Sequence, residues 1–315
     1  MRAIIISAQG GPEVLEYVER PDPVPGDGEV VVDLAASGVN FIDIYHRSGV
    51  YPLDLPSPIG SEGAGTVSAV GPGVRDVGVG DTVAWVNVLG SYAEKAVVPA
   101  HRVVPVPARV APEVAAAAML QGMTAHYLTH STHELRAGEN VLIHAGAGGM
   151  GQLLIQLAKL KGANVHTTVS SSEKEKLARD AGADHVFRYE DFTEALRGKI
   201  DVVYDGVGAA TFDGGLEVLR TRGMMVLYGA ASGPVPPVDP QTLNRQGSLF
   251  LTRPTLAHYT AKREELLQRS ADLFGWIAAG DLTVNVSRRY PLADARQAQE
   301  DLAGRRTTGK VLLIP

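Results

Sequence analysis

The chain of 315 residues contains no cysteine. That excludes disulfides, thiolate zinc sites, iron–sulfur clusters and a cysteine nucleophile, and it fits a reducing compartment. No apolar run approaches the roughly 20 residues of a membrane-spanning helix. The short apolar stretch near the N-terminus is cut off by Gly10, Gly11 and Pro12, unlike a secretory signal. A cytoplasmic protein without a membrane partner is therefore expected. Charge of one sign is also scarce. With 29 Lys and Arg against 35 Asp and Glu the net charge is −6, so no broad basic field exists to recruit nucleic acid as the main ligand. There is no internal repeat and no low-complexity tract.

What is present is enough chain for two domains, and 45% apolar residues to build their cores. Up to about residue 110 short β-branched runs recur, such as EVVVDLAA and DTVAWV, separated by Gly/Pro punctuation such as PDPVPGDG. This reads as a β-rich barrel or sandwich. Pro112 then opens an Ala-rich stretch suited to helix. From residue 141 strands and helices alternate, as βαβ units of a doubly wound parallel sheet do; the strand runs are apolar enough to be buried on both faces. A helical pattern over 263–282 and the terminal strand KVLLIP are too long a tail for the second domain and are expected to return to the first. The expected division is 1–118 with 256–315, and 119–255.

The strand VLIHA runs into GAGGMG and then a helix, so Gly146, Gly148 and Gly151 match G-x-G-x-x-G, with Gly149 and Met150 between them. Glycines there permit a tight turn and close backbone approach to a pyrophosphate, and the helix directs free N–H groups at it. The strand–turn–helix setting at the head of a βαβ series makes this a dinucleotide site. An NAD site usually ends its second strand in a carboxylate that hydrogen-bonds the ribose 2′-hydroxyl. Here NVHTTV is followed by Ser170, Ser171 and Ser172, then Glu173 and Lys174. Hydroxyls and an ammonium suit a phosphate monoester, so NADPH is the expected cofactor. Ser171 or Ser172 can also simply cap the following helix, and both roles are compatible. Tyr189 and Arg305 are further candidate neighbours of the adenosine phosphate.

The motifs GGPEVLE, SGVNFIDIYHRSGVYP, GSEGAG, HAGAGGMG, VVYDGVG, GSLFLTRP and LLIP, in this order over nearly the whole chain, resemble the zinc-independent branch of the medium-chain dehydrogenase/reductase superfamily, and within it the zeta-crystallin-like NADPH quinone oxidoreductases. The resemblance implies a Rossmann-type sheet joined to a β-rich GroES-like catalytic domain. In the zinc-dependent relatives the segment GVNFID carries a Cys and GSEGAG a His; here these positions are Asn40 and Ser61, which are not zinc ligands, and the structural zinc lobe is missing. The resemblance also places Asn40, Phe41, Ile42, Asp43 and Tyr45 beside the nicotinamide. Asn40 would bond the substrate oxygen, and Tyr45 or Tyr51 would order the pocket or deliver a proton, unless these tyrosines only pack. It implies cofactor contacts from Tyr127, from Gly206 where relatives often carry Ser, and from Gly229, Ala230, Ala231 and Ser232. Phe250, Leu251 and Thr252 would line the nicotinamide pocket.

His126, His130 and His133 lie on one helix face at metal-ligand spacing, but no acidic partner accompanies them, and incidental histidines are expected. Without a Lewis acid the acceptor must take hydride readily. The leading expectation is thus hydride transfer from NADPH to a quinone. The alternatives are reduction of an activated C=C bond in an enone or alkenal, and a non-catalytic NADPH- or RNA-binding crystallin-like role. The run 247–255 reads as an edge strand, which invites a homodimer.

Overall fold

The computed structural model describes all residues, 1–315. In chain order the strands are β1 (Arg2–Ile6), β2 (Leu15–Glu19), β3 (Glu29–Val39), β4 (Ser57–Pro58), β5 (Glu62–Val70), β6 (Thr82–Val86), β7 (Lys95–Pro99), β8 (Val104–Pro105), β9 (Asn140–Ile143), β10 (Asn164–Val169), β11 (His185–Arg188), β12 (Ile200–Asp205), β13 (Leu219–Leu227), β14 (Phe250–Thr252), β15 (Val286–Pro291) and β16 (Lys310–Ile314). The helices that matter below are α1 (Phe41–Ser48), α2 (Pro112–Tyr127), α3 (Gly149–Leu160), α4 (Ser172–Asp180) and α5 (Arg263–Ala279). The chain forms two compact units, Met1–Met123 with Thr260–Pro315, and Thr124–Tyr259.

The first unit is β-rich. A small antiparallel sheet has the order β2-β1-β4, and a larger one runs β15-β16-β3-β5-β6-β8 with β7 also paired to β3. Strand β3, EVVVDLAASGV, is the spine: β5 lies along one side, and on the other β7 takes its first half and β16 its second. Val30, Val32, Val67, Val83, Trp85 and Val98 form one core cluster around it. The β16 pairing brings the C-terminus home to the first unit, with Val311 opposite Val39 and Leu313 opposite Ser37. Helix α5 packs here too: a Cβ on Gly122 of α2 would lie 2.6 Å from Leu273.

The second unit is a six-stranded sheet of order β11-β10-β9-β12-β13-β14 in which every pairing is parallel. Counted within the unit this is 3-2-1-4-5-6, the dinucleotide-binding order, whose ligand crevice lies at the carboxyl ends of the strands where the order reverses. Its strands are apolar because helices cover both faces: Val141, Leu142, Ile143, Val202, Val203 and Val226 are all buried. Helix α2 ends in one wide π-turn, Leu128–Thr132, where the Thr129 hydroxyl bonds back to the carbonyl of Ala125. The three histidines diverge at this turn. His126 stacks on His130, while His133 faces Glu139. No helix is long and apolar enough to cross a membrane.

Candidate functional site

In the second unit, β9 delivers His144 and Ala145 to the carboxyl edge of the sheet, flanked by β10 and β12. Ala145 adopts φ 58°, a left-handed bend that costs a non-glycine residue of order 1 kcal/mol and marks a constrained turn. The glycines that follow are demanded by contact. A Cβ on Gly146 would sit 2.2 Å from the Thr167 hydroxyl, and one on Gly151 would sit 2.3 Å from the Ala145 carbonyl oxygen. Gly148 caps α3 with extended backbone and contributes no side-chain acceptor, so the first-turn amides of Gly149, Met150 and Gly151 keep no side-chain partner. A cradle that a Cβ would fill, under an uncapped helix N-terminus, fits a pyrophosphate. NADPH therefore fits these residues; bound there it supplies a transferable hydride at the nicotinamide.

Thr168 ties the turn to β10. Its hydroxyl accepts from the Ala145 N–H (3.3 Å) and meets His144 Nδ1 (2.9 Å), while its carbonyl accepts from Gly146 N–H. The other ring nitrogen, Nε2, is buried without a partner. Burial depresses His144 from 6.5 to about 4, so the ring is neutral at pH 7. Tyr189, at the end of β11, stacks on it at 6.2 Å between centroids.

Beyond β10, Ser171 caps α4 by accepting the Lys174 N–H (3.3 Å), and the Lys174 ammonium bonds Ser170 Oγ (3.2 Å). The cap and the phosphate-ready cluster thus coexist in one turn. Gly206 follows Asp205, a fully buried carboxylate that accepts from the N–H groups of Val207 and Gly208 and from the Thr211 hydroxyl. Asp205 holds this turn and was missed in the sequence, where it looked like one more strand residue. A Cβ on Gly206 would meet the Tyr228 ring at 2.7 Å, and one on Gly229 the Gly206 carbonyl at 2.6 Å. So Gly206 is glycine because Tyr228 fills the space a side chain would need. Ala230, Ala231 and Ser232 close over the same turn: Ala231 N–H reaches the Gly206 carbonyl, and the Ser232 hydroxyl bonds the Val207 carbonyl at 2.8 Å.

Tyr127 is buried in its unit and stacks face to face on Tyr259 at 4.2 Å, an arrangement that pushes its hydroxyl well above the usual phenol range through desolvation. The β14 expectation needs correction. Register puts Thr252 opposite Val226 near the carboxyl edge, but Phe250 lies two residues further back with its ring 56% exposed, and Leu251 packs into the hydrophobic core. A strand alternates its faces, so three consecutive residues do not share one pocket.

In the first unit, α1 is set by its ends. Asn40 is the N-cap in extended conformation, Asp43 at the third helical position accepts the Asn40 N–H (2.9 Å), and Gly49 closes the helix at φ 81°. Phe41 and Ile42 are half-buried in its first turn. Tyr45 meets the partly exposed Tyr51 edge to face at 5.5 Å. Asp43 corrects the sequence reading. Its carboxylate is fully buried and also accepts from Ser61 Oγ (2.8 Å) and Tyr92 OH (2.9 Å), so it orders α1 and has no surface for a cofactor. Desolvation raises it to about 6, against the pull of those hydrogen bonds. Arg305, exposed at φ 56°, belongs to this unit.

Asn40 is the third correction. Its Nδ2 donates to Glu62 Oε1 (2.6 Å) and to the Gly38 carbonyl (3.3 Å), and its Oδ1 accepts from the Lys310 ammonium (2.7 Å). Both amide hydrogens are committed inside the unit, leaving none for a substrate oxygen. The Lys310 ammonium also bonds Glu62 Oε1, and Glu62 Oε2 accepts from the Leu120 N–H. Lys310, Glu62 and Asn40 are 1%, 0% and 3% exposed. This donor set does not fit zinc: Asn40 and Ser61 are an amide and a hydroxyl already bonded to protein, and the Lys310 ammonium is packed against the Glu62 carboxylate, whose two oxygens are both hydrogen-bonded. No three His, Cys, Asp or Glu side chains anywhere are grouped to hold a metal ion.

The fold and these two sets of residues define a medium-chain dehydrogenase/reductase without the zinc ligands of its class. Residues 26–108 match the alcohol dehydrogenase GroES-like domain and 149–272 the family model described as zinc-binding dehydrogenase. A quinone oxidoreductase of Pseudomonas aeruginosa is 45% identical over 100% of this chain and 99% of its own. The Escherichia coli quinone oxidoreductase solved with NADPH superposes with a TM-score of 0.98 at 42% identity, covering both chains fully. A 2-haloacrylate reductase from a Burkholderia species is 41% identical over 99% of this chain and 98% of its own. The chain belongs to the quinone oxidoreductase family.

Neutral His144 carries a pH signature. Because its folded pKa is depressed, its contribution is fully present above pH 6.5 and is lost as pH falls through about 4. Asp43, raised from 3.8 to about 6, works with the opposite sign in the same window. Urea unfolding from pH 7 to 4 should therefore show His144→Asn flattening the acid side of the stability profile relative to wild type, by at most about 3 kcal/mol. Parallel profiles for the two proteins would show that His144 does not titrate on unfolding.

Proposed function

We propose that the chain is an NADPH:quinone oxidoreductase that works without a metal ion. The observation that carries this is the end of β10: beside a glycine cradle for pyrophosphate, Ser170, Ser171 and Lys174 stand where a carboxylate would select NAD. Full-length relatives named quinone oxidoreductases, one solved with NADPH, support the same reading.

The residues divide the work. The amides of Gly149, Met150 and Gly151 hold the pyrophosphate, and Ser170 with Lys174 takes the 2′-phosphate, with Tyr189 as a further neighbour. Tyr127, the turn at Gly206 and the segment Gly229–Ser232 border the cofactor. On the catalytic side, Tyr45 and Tyr51 shape the acceptor pocket, and the half-exposed Tyr51 hydroxyl is the available proton donor or donor relay. Asn40, with its amide locked by Lys310 and Glu62, fixes the start of α1 that carries Phe41, Ile42 and Tyr45. Positioning supplies most of the acceleration. A quinone suits such a site because its reduction gains aromaticity and needs no strong electrophile. We propose the domain division 1–118 with 256–315, and 119–255; the compact units support it.

Reduction of an activated C=C bond is a second reading, favoured by the 2-haloacrylate reductase relative. Initial rates with NADPH on 1,4-benzoquinone, 9,10-phenanthrenequinone, an enone and 2-chloroacrylate separate the two. The expected result is turnover of the quinones at least about tenfold faster, with NADPH preferred over NADH, each tenfold corresponding to about 1.4 kcal/mol. Turnover confined to the enone or the haloacrylate sinks the quinone assignment.

We infer a homodimer as well. Strand β14 leaves one edge of its sheet unpaired and presents Phe250 to solvent. Light scattering should give the mass of two chains, and Phe250→Asp should shift it toward one. A wild-type monomer at micromolar concentration contradicts the inference.

A further inference from the structure

Within the second unit the sequence motifs point to one cation, Lys174, for the nucleotide phosphate. The structure brings a second one to the same turn. Arg188 is the last residue of β11, in register with Val169, the residue just before Ser170. Its Nη2 donates to Ser172 Oγ at 2.8 Å, the first residue of α4 after the Ser171 cap. Its Nη1 is buried and has no hydrogen-bond partner. Glu175 Oε2 lies 3.8 Å from Nη2, and Arg179 bonds the other oxygen of that carboxylate, Oε1, at 3.0 and 2.8 Å, so the contact leaves Nη1 without an acceptor.

A buried guanidinium nitrogen left unpaired is uncommon and asks for an explanation. An acceptor arriving at the turn provides one. We propose that Arg188 is a specificity-determining residue for the phosphorylated nucleotide, acting with Lys174 on the 2′-phosphate. This rests on the NADPH reading above and extends it to a residue outside the fingerprint.

Charge supports the assignment. A phosphate monoester carries about −1.5 to −2 at neutral pH. Lys174 alone leaves roughly half of that uncompensated, and a second cation from the end of β11 brings the positive charge to two. Geometry supports it as well. Lys174 reaches Ser170 from inside α4, whereas Arg188 reaches Ser172 from the adjacent strand, so the two bracket the serine run. The chemistry differs between the two cations. Lysine presents a point charge, whereas arginine presents a planar fork that pairs two N–H groups with two phosphate oxygens, and its second arm is the unpartnered Nη1. An adenosine ribose with a free 2′-hydroxyl offers this fork nothing comparable, so the benefit is confined to the phosphorylated nucleotide.

Direct titration of nucleotide fluorescence tests this without turnover. In Arg188→Gln, which keeps a donor for Ser172 but loses the charge, Kd for NADPH should rise about tenfold, while Kd for NADH changes less than about twofold. Arg188→Lys should retain most of the discrimination, and Lys174→Gln with Arg188→Gln should abolish nearly all of it. Unchanged thermal midpoints confirm that the variants are folded. If wild type discriminates and Arg188→Gln discriminates equally well, Arg188 is only a strut to Ser172 and this inference falls alone. If wild type binds NADH and NADPH alike, the NADPH reading itself falls.

Discussion

An ammonium sealed inside the first unit, between a carboxylate and an amide, is the constraint on which the site depends. Lys310 comes from the last strand of the chain, Glu62 from the start of β5 and Asn40 from the end of β3. Antiparallel register does the assembly. Val311 opposite Val39 puts Lys310 across from Asn40, and Ser37 opposite Gly63 puts Glu62 across from Gly38. Gly38 has no side chain because one would fill the space of the Glu62 carboxylate, 2.0 Å from Oε1. Removing one partner of such a buried pair strands the other charge, at a cost of about 3–5 kcal/mol. The pair therefore ties the C-terminal strand to the start of the helix that carries Phe41, Ile42 and Tyr45.

This arrangement holds the β3–α1 junction in place through protein groups alone. A zinc ion would be a cation held by side chains from the β3–α1 junction and from the start of β5. Here the protein supplies its own cation to that neighbourhood, with Glu62 as its counter-ion and Asn40 as the hydrogen-bonding bridge. Such a cation fixes positions but is sealed away from a substrate oxygen, buried against Asn40 Oδ1 and Glu62 Oε1. The chemistry is then limited to acceptors that take hydride without a strong electrophile. On the nucleotide side the same economy holds: Asp205 and Thr168 spend their hydrogen bonds on shaping turns, so that glycines can present bare backbone.

The fold was legible in the sequence because its signals are local and strong. GAGGMG after VLIHA specifies a turn that only glycines satisfy, and strand–helix alternation at regular spacing specifies a parallel sheet. The serines and Lys174 could be read because an acidic residue was missing at one defined place. Other features are long-range and were not legible. Nothing near Asn40 announces that its amide is consumed by a lysine 270 positions away. Asp43 looked like a cofactor contact because the family resemblance implied it; that Ser61 and Tyr92 saturate it depends on where the approach to β5 and the β6–β7 loop return. Phe250 was placed in the pocket by motif, whereas register and the two-residue period of a strand put it on the open edge. Arg188 carries no motif and gains its meaning only from pairing with Val169.

The claim that hydride transfer here needs no bound metal is tested most directly by measuring quinone turnover and metal content on one preparation after exhaustive dialysis against EDTA. The account requires full turnover with far less than one zinc per chain. Activity that disappears with the metal and returns on adding zinc would contradict it.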